Sequence, residues 1–256
     1  MTRAVMTIAA ITLGASILGG CSSEPAPVSN DASIAEPSSQ AVEPVLEGKW
    51  DVSRKGQAYM VPVNEYGDVV GSSVRSKNEL DQCRDIPTTN LYRTSKVVPQ
   101  LVQGRFVLFS YEDGPGRLAD SHAPVDYSPS PFGAALAAYN AFSIFMGWGE
   151  YFHQVADDVI DMGEPVPDVL PEFEEAGRIP HLPIAFRLEN CSPHSAKVYL
   201  LLDPGQGEGI VGVMAFRMVY DNNTWIWKFD PFNDEPGKQY LRDDIDWGEW
   251  TSWQLG

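Results

Sequence analysis

Four apolar runs toward the C-terminal end constrain the fold more than anything else in the chain: "IAFRLEN" (184–190), "AKVYLLLD" (196–203), "GIVGVMAFRMVYD" (209–221) and "TWIWKFD" (224–230). Only "CSPHS", "PGQGE" and "NN" separate them, and these are turn-forming residues. A parallel crossover needs a dozen residues or more, so consecutive runs must pair antiparallel. In the last run Trp225, Trp227 and Phe229 alternate with Thr224, Ile226 and Lys228, which is the period of a strand with two unlike faces. A four-stranded meander is expected.

The segment before it reads as helix. In "DYSPSPFGAALAAYNAFSIFMGWGEYFHQVADDVID" (126–161), Ser128 or Ser130 suits a cap, Pro131 suits a first turn, and the alanines that follow have the highest helix propensity. Ala138, Phe142, Phe145, Trp148, Phe152, Val155 and Val159 recur at spacings of three and four and predict one apolar face. Gly147 and Gly149 are expected to bend or interrupt the helix. The prolines of "MGEPVPDVLPEF" make that stretch irregular. From Lys49 to about Gly114, "AYMVPVNEYG" and "GRFVLFSYEDGPG" are short β-favouring runs, and the polar residues 72–95 between them read as a loop. The expected fold class is α+β: a helical segment followed by a curved, cone-like, four-stranded antiparallel meander, with an N-terminal β-rich appendage.

The first 47 residues carry a different message. Ala4 to Leu18 is apolar but for Thr7, Thr12 and Ser16, follows Arg3, and is shorter than the roughly 20 residues a membrane-spanning helix requires. It reads as an export signal. Leu18-Gly19-Gly20-Cys21 resembles a bacterial lipobox, which implies a diacylglycerol on the Cys21 thiol and cleavage that leaves Cys21 as the new N-terminus. Two or more acyl chains anchor stably where one holds only reversibly. Residues 22–47 are rich in Ser, Pro, Ala and Glu and bury too little apolar surface to offset the entropy of ordering. The expected organisation is a lipoprotein signal peptide at 1–20, a lipidated tether at 21–47, a β-rich part of the folded body at 48–125, and a helix-plus-sheet domain at 126–256.

Three cysteines are present. With Cys21 taken by lipid, Cys83 and Cys191 remain, both in polar, turn-like surroundings and in a compartment that permits oxidation, and they are expected to form one disulfide. The 256-residue chain has 35 acidic against 18 basic residues and a net charge of −17. That balance excludes nucleic acid as a partner, since phosphates demand a basic surface, and favours a cationic protein face over anionic head groups.

The order of helix first and curved antiparallel sheet after is similar to the nuclear transport factor two-like cone. "DNNTWIW" resembles the closing strands of such domains in bacterial envelope proteins. More narrowly, "GPGRLADSHAPVDYSPSPFGAALAAYNA", preceded by the Trp-initiated "KWDVSRKGQAYMVPV", resembles a motif of uncharacterised actinobacterial secreted and lipid-anchored proteins. Gly114, Pro115, Tyr127, Ser130, Pro131, Gly133, Ala134, Ala137 and Ala138 carry the match, while Asp126 stands where those proteins have glycine. The resemblance implies a fold and a link to conjugation or type IV secretion, and no chemistry.

Motifs of known chemistry are missing from the sequence: it has no H-E-x-x-H, G-x-S-x-G, S-x-x-K, P-loop or dinucleotide fingerprint. His122, His181 and His194 read as loop residues and His153 as helical. Asp157 and Asp161 share a helical face at i and i+4. "DPFNDEPG" and "RDDIDWGEW" offer oxygen atoms without EF-hand spacing, so neither a metal nor a cofactor is expected. The expected function is a non-catalytic interaction or accessory module, lipid-anchored through Cys21 at the extracytoplasmic face of the cell membrane and binding an envelope protein. The alternative is an envelope enzyme or small-ligand binder using the mouth of the cone, with His153, Asp157 and Trp227 as its candidate pocket.

Overall fold

A computed structural model describes residues 46–53, 56–71, 83, 92, 94–147, 149–163, 182–203, 209–230 and 237–255. The signal, Cys21, most of the tether, nearly all of the 72–95 loop and most of "MGEPVPDVLPEF" lie outside the described residues. The N-terminal half contributes β1 (Lys49–Val52), β2 (Ala58–Val61), β3 (Val97–Val102) and β4 (Arg105–Ser110), which form one sheet in that order. A small hairpin follows, β5 (Arg117–Leu118) with β6 (Pro124–Val125). Then come α1 (Pro131–Gly147), α2 (Glu150–Val159) and β7 (Ile160–Asp161). The remainder is β8 (Pro183–Cys191), β9 (Ser195–Leu202), β10 (Ile210–Asp221), β11 (Thr224–Lys228), β12 (Lys238–Leu241) and β13 (Thr251–Ser252).

The expected fold class is corrected by this architecture. The chain is mostly β, and its second sheet has seven strands in the order β13-β8-β9-β10-β11-β7, with β12 beside the first half of β10. The segments β8 to β11 are antiparallel neighbours in chain order, yet they are the middle of a larger sheet and not a closed four-stranded cone. Parallel pairing of β7 with β11 extends one side, and β13 on β8 extends the other. The connector Asn222-Asn223 takes positive φ at both positions, 48° and 63°, which is the two-residue turn whose twist matches its strands. Gln103 and Gly104 make the same kind of turn between β3 and β4.

Nor is the N-terminal sheet an appendage. α1 lies between the two sheets, and every residue from Phe132 to Ile144 is buried. Phe106 and Leu108 of β4 share one core with Phe132, Leu136, Ala138 and Phe142 of α1 and with Leu188, Val198, Leu200, Phe216, Trp225 and Trp227 of the large sheet. A helix that is apolar all round belongs inside a protein, and the small residues Gly133, Ala134, Ala135, Ala137, Ala138 and Ala141 let both sheets approach it. A Cβ at Gly133 would collide with the carbonyl oxygen of Ser128. The reading of one apolar stripe therefore undercounted: the residues between the stripe positions are apolar too.

Outside this shared core, Met60, Val98, Val102, Val107 and Phe109 pack on the far face of the small sheet. On the far face of the large sheet, Ala185, Tyr199, Leu201 and Val211 pack with Trp250.

Candidate functional site

The sequence points to His153, Asp157 and Trp227, and the structure does not gather them. α2 buries Phe152, Val155, Ala156 and Val159, which leaves His153 and Asp157 on its exposed side. Trp227, on β11, faces inward. Its ring centroid lies 5.4 Å from Phe145, 5.0 Å from Phe216 and 5.1 Å from Phe229, all in edge-on contacts. Phe145 also meets Phe152 at 5.8 Å, so the end of α1, the start of α2 and β11 are joined through interlocked rings. Asp161 departs from the expected helical pair with Asp157, because α2 ends at Val159 and Asp161 belongs to β7. There it is ion-paired with Lys228 of β11. Hydrogen bonds from the Lys228 ammonium and the Gly163 N–H hold its carboxyl below the ordinary value.

Cys83 and Cys191 stand at disulfide distance, with Cα atoms 4.9 Å apart across a separation of 108 residues. The Cys83 N–H donates to Pro129 O at 3.0 Å, which fixes the cysteine against the N-terminal end of α1, and Cys191 closes β8. The cross-link therefore joins the segment entering α1 to the large sheet.

Two polar groupings emerge that sequence reasoning missed. The first surrounds Asp113, a carboxylate only 1% exposed. Its Oδ1 accepts from Ser128 Oγ at 2.7 Å and Ser130 Oγ at 2.8 Å, and its Oδ2 accepts from Ser95 Oγ at 2.8 Å. Ser110 Oγ accepts from the Asp113 N–H at 3.0 Å, and Ser130 Oγ accepts from the Gly133 N–H at 2.9 Å, capping α1. Buried carboxyl oxygens are tolerable when their lone pairs are occupied by hydrogen bonds, as these are. This cage clamps the chain before β3, the end of β4 and the start of α1 to one another.

The second grouping is half-buried at the surface and draws on three segments. His122, at φ 69°, stacks on Tyr66 with ring centroids 4.0 Å apart, and Tyr66 lies 5.9 Å from Tyr151 of α2. The Tyr151 hydroxyl donates to His122 O at 3.4 Å, and burial, aided by Tyr66, raises its pKa. Ser121 Oγ donates directly to Asp158 Oδ2. A nucleophilic triad needs an imidazole between hydroxyl and carboxylate. Here the imidazole is stacked on a tyrosine and the serine meets the carboxylate itself, so the arrangement locks the β5–β6 hairpin onto α2 in place of activating the hydroxyl. Ser121 and His122 are adjacent in sequence, whereas Tyr66 and Asp158 are remote from them. No spacing signals the group.

On the far face of the large sheet, the Arg187 guanidinium lies 4.6 Å from the Tyr199 ring centroid and 5.2 Å from that of Trp250. Its Nη1 donates to Glu249 Oε2 at 3.0 Å. Among the described residues no group of three or more His, Cys, Asp or Glu side chains is placed to hold a metal ion.

A helix clasped between a four-stranded and a seven-stranded sheet defines this protein as a β-rich domain. Residues 65–248 match the family model described as a domain of unknown function, DUF8175, and the chain belongs to that family. The matched span starts beyond β2 and ends before β13. No curated protein and no solved structure matches the chain.

Proposed function

We propose that the chain is a bacterial envelope lipoprotein, anchored by lipid on Cys21 at the extracytoplasmic face of the cell membrane, that works by protein contact and not by catalysis. The observation that carries this reading is the ribbon of β1 and β2. Trp50 is 50% exposed, Val52 60%, Val61 40% and the adjoining Val63 67%. These are four of the eight large exposed apolar side chains among the described residues, and they fall within one short segment. With Trp50 opposite Met60 and Lys49 opposite Val61, Trp50 and Val52 lie on one face of the ribbon and Val61 on the other, so this short ribbon exposes apolar side chains on both faces, which sets it apart from a surface with single scattered ones. The ribbon begins directly after the tether.

Supporting the anchor is Leu18-Gly19-Gly20-Cys21 at the end of an apolar run of export length. The net charge of −17 favours a partner with a cationic face. A tie to conjugation or secretion rests on the sequence resemblance. The test is photo-crosslinking in intact cells from a reactive residue at Val61 or Val63, compared with one at Asp221 in the exposed β10–β11 turn. Protein adducts are expected from the ribbon and not from the turn. A ribbon that yields none, or no more than the turn, would overturn the reading.

A further inference from the structure

We infer that the outer edge of β1 is a self-pairing edge, at which a second copy of this chain adds its own β1 antiparallel about a two-fold axis through Trp50. The inference rests on reading the ribbon as a contact surface and does not depend on the lipid.

Backbone parity comes first. The Ser53 N–H donates to Gln57 O at 2.8 Å, which makes that pair a hydrogen-bonded one. Hydrogen-bonded and non-hydrogen-bonded pairs alternate along an antiparallel ladder. With Asp51 opposite Tyr59 and Lys49 opposite Val61, these two residues direct their backbone groups inward to β2. Trp50 and Val52 therefore direct theirs outward, where no strand pairs with β1 among the described residues. The outward Val52 N–H instead donates to the Asp51 carboxylate at 2.7 Å.

Side chains then choose the occupant. Natural edges are blunted by charge, and Lys49 and Asp51 supply it here. Their order around Trp50 makes the edge complementary to its own reverse. Aligned antiparallel with Trp50 opposite Trp50, Lys49 of each copy falls opposite Asp51 of the other, and Val52 falls opposite Gly48. Residues directly opposite share a face, so the two indoles meet on one side of the joined sheet and the two ion pairs form on the other. The same register pairs the outward groups of Trp50 with those of its counterpart, and it offers Gly48 O of the copy to the Val52 N–H in exchange for Asp51 Oδ1, which is then left to the Lys49 ammonium of the copy. A foreign strand or a bilayer has no reason to require this symmetry. The contact is small, which suits a weak association in solution that strengthens when copies are concentrated in one plane.

The test uses the full-length chain in intact cells. Trp50→Cys copies would stand about 5.5 Å apart at Cα as a hydrogen-bonded pair, within reach of a short bis-maleimide, so that reagent is expected to give a linked dimer. Val63→Cys, which is exposed but off the axis, is expected to give several-fold less. In the same cells, the Trp50→Cys link should fall several-fold when Lys49→Asp or Asp51→Lys is added alone and return when both are present. Absence of the Trp50→Cys dimer, or single charge changes that the double change does not rescue, overturns the inference. Quenching of tryptophan fluorescence by brominated lipid that Trp50→Phe abolishes, without self-linkage, assigns the edge to the bilayer and also overturns it. Adducts from Val61 or Val63 to another protein without self-linkage sink the pairing while leaving the contact reading intact.

Discussion

The side-chain amide of Asn140 pairs with both backbone groups of Leu108, accepting the N–H at 2.7 Å and donating to the C=O at 2.9 Å. β4 is the edge of its sheet on the side facing α1, so a helical side chain completes what a further strand would otherwise supply. The amide also donates to the Tyr127 hydroxyl at 2.8 Å. Each buried group left without a partner costs about 1–3 kcal/mol. Asn140→Leu keeps the volume and strands two backbone groups, so it should destabilise by about 2–6 kcal/mol in urea unfolding. An unchanged midpoint would contradict the account.

Trp227 separates a packed core from an open site. Surrounded by Phe145, Phe216 and Phe229, it should lose about 3–5 kcal/mol on substitution by alanine, through lost burial and a residual cavity. Its indole N–H has no hydrogen-bond partner among the described residues. Trp227→Phe therefore sacrifices no hydrogen bond, and its cost should stay within about 1.5 kcal/mol. If phenylalanine were as damaging as alanine in the same unfolding measurement, the ring would have a role beyond packing.

These two residues show what could and could not be read in advance. The strands around Trp227 are legible because turn residues bracket them and their side chains alternate. The sheet they belong to is not, because β7 and β13 are two residues each and owe their pairing to tertiary placement. α1 is legible as a helix but not as a central one: its stripe at helical spacing drew attention from Ala134, Ala135, Ala137 and Ala141, which close the other side. β3 hides behind Pro99. The proline is opposite Leu108, whose backbone groups are taken by Asn140, so the ladder to β4 loses no bond at that pair. The Asp113 cage and the Tyr66–His122 stack join residues far apart in the chain through contacts that carry no periodicity. His153 and Asp157 lie on the outward side of α2, and Asp161, whose spacing predicts a shared face with Asp157, has left the helix for β7.

Alkaline titration should divide the tyrosines. Burial raises the pKa of Tyr127, Tyr139 and Tyr151 well above the ordinary 10.0, with Asn140 opposing the rise at Tyr127 and Tyr66 adding to it at Tyr151. The folded state thus favours the neutral phenol. Its contribution to stability is complete below pH 10 and is lost as the pH climbs above it. Phenolate absorbance followed together with near-ultraviolet circular dichroism should show these three ionising only as the fold is lost. Ionisation of all ten tyrosines near their ordinary value with the dichroism intact would refute the burial.

Closing a loop across 108 residues should stabilise the fold by about 4–5 kcal/mol in the chain-entropy treatment, less whatever strain the native geometry imposes. Peptide mapping of the unreduced chain should recover Cys83 joined to Cys191. Replacing both by serine should lower the unfolding midpoint without altering the fold, and two free thiols in the native protein would refute the link.

The central claim, a lipid-anchored contact module, is tested most directly at Cys21. Cells expressing the full chain are fed a fatty-acid analogue and then fractionated. The account predicts that the unaltered protein is labelled and sediments with the membrane, and that Cys21→Ser is neither labelled nor retained there. A Cys21→Ser protein that keeps its label and its place in the membrane fraction would contradict the claim.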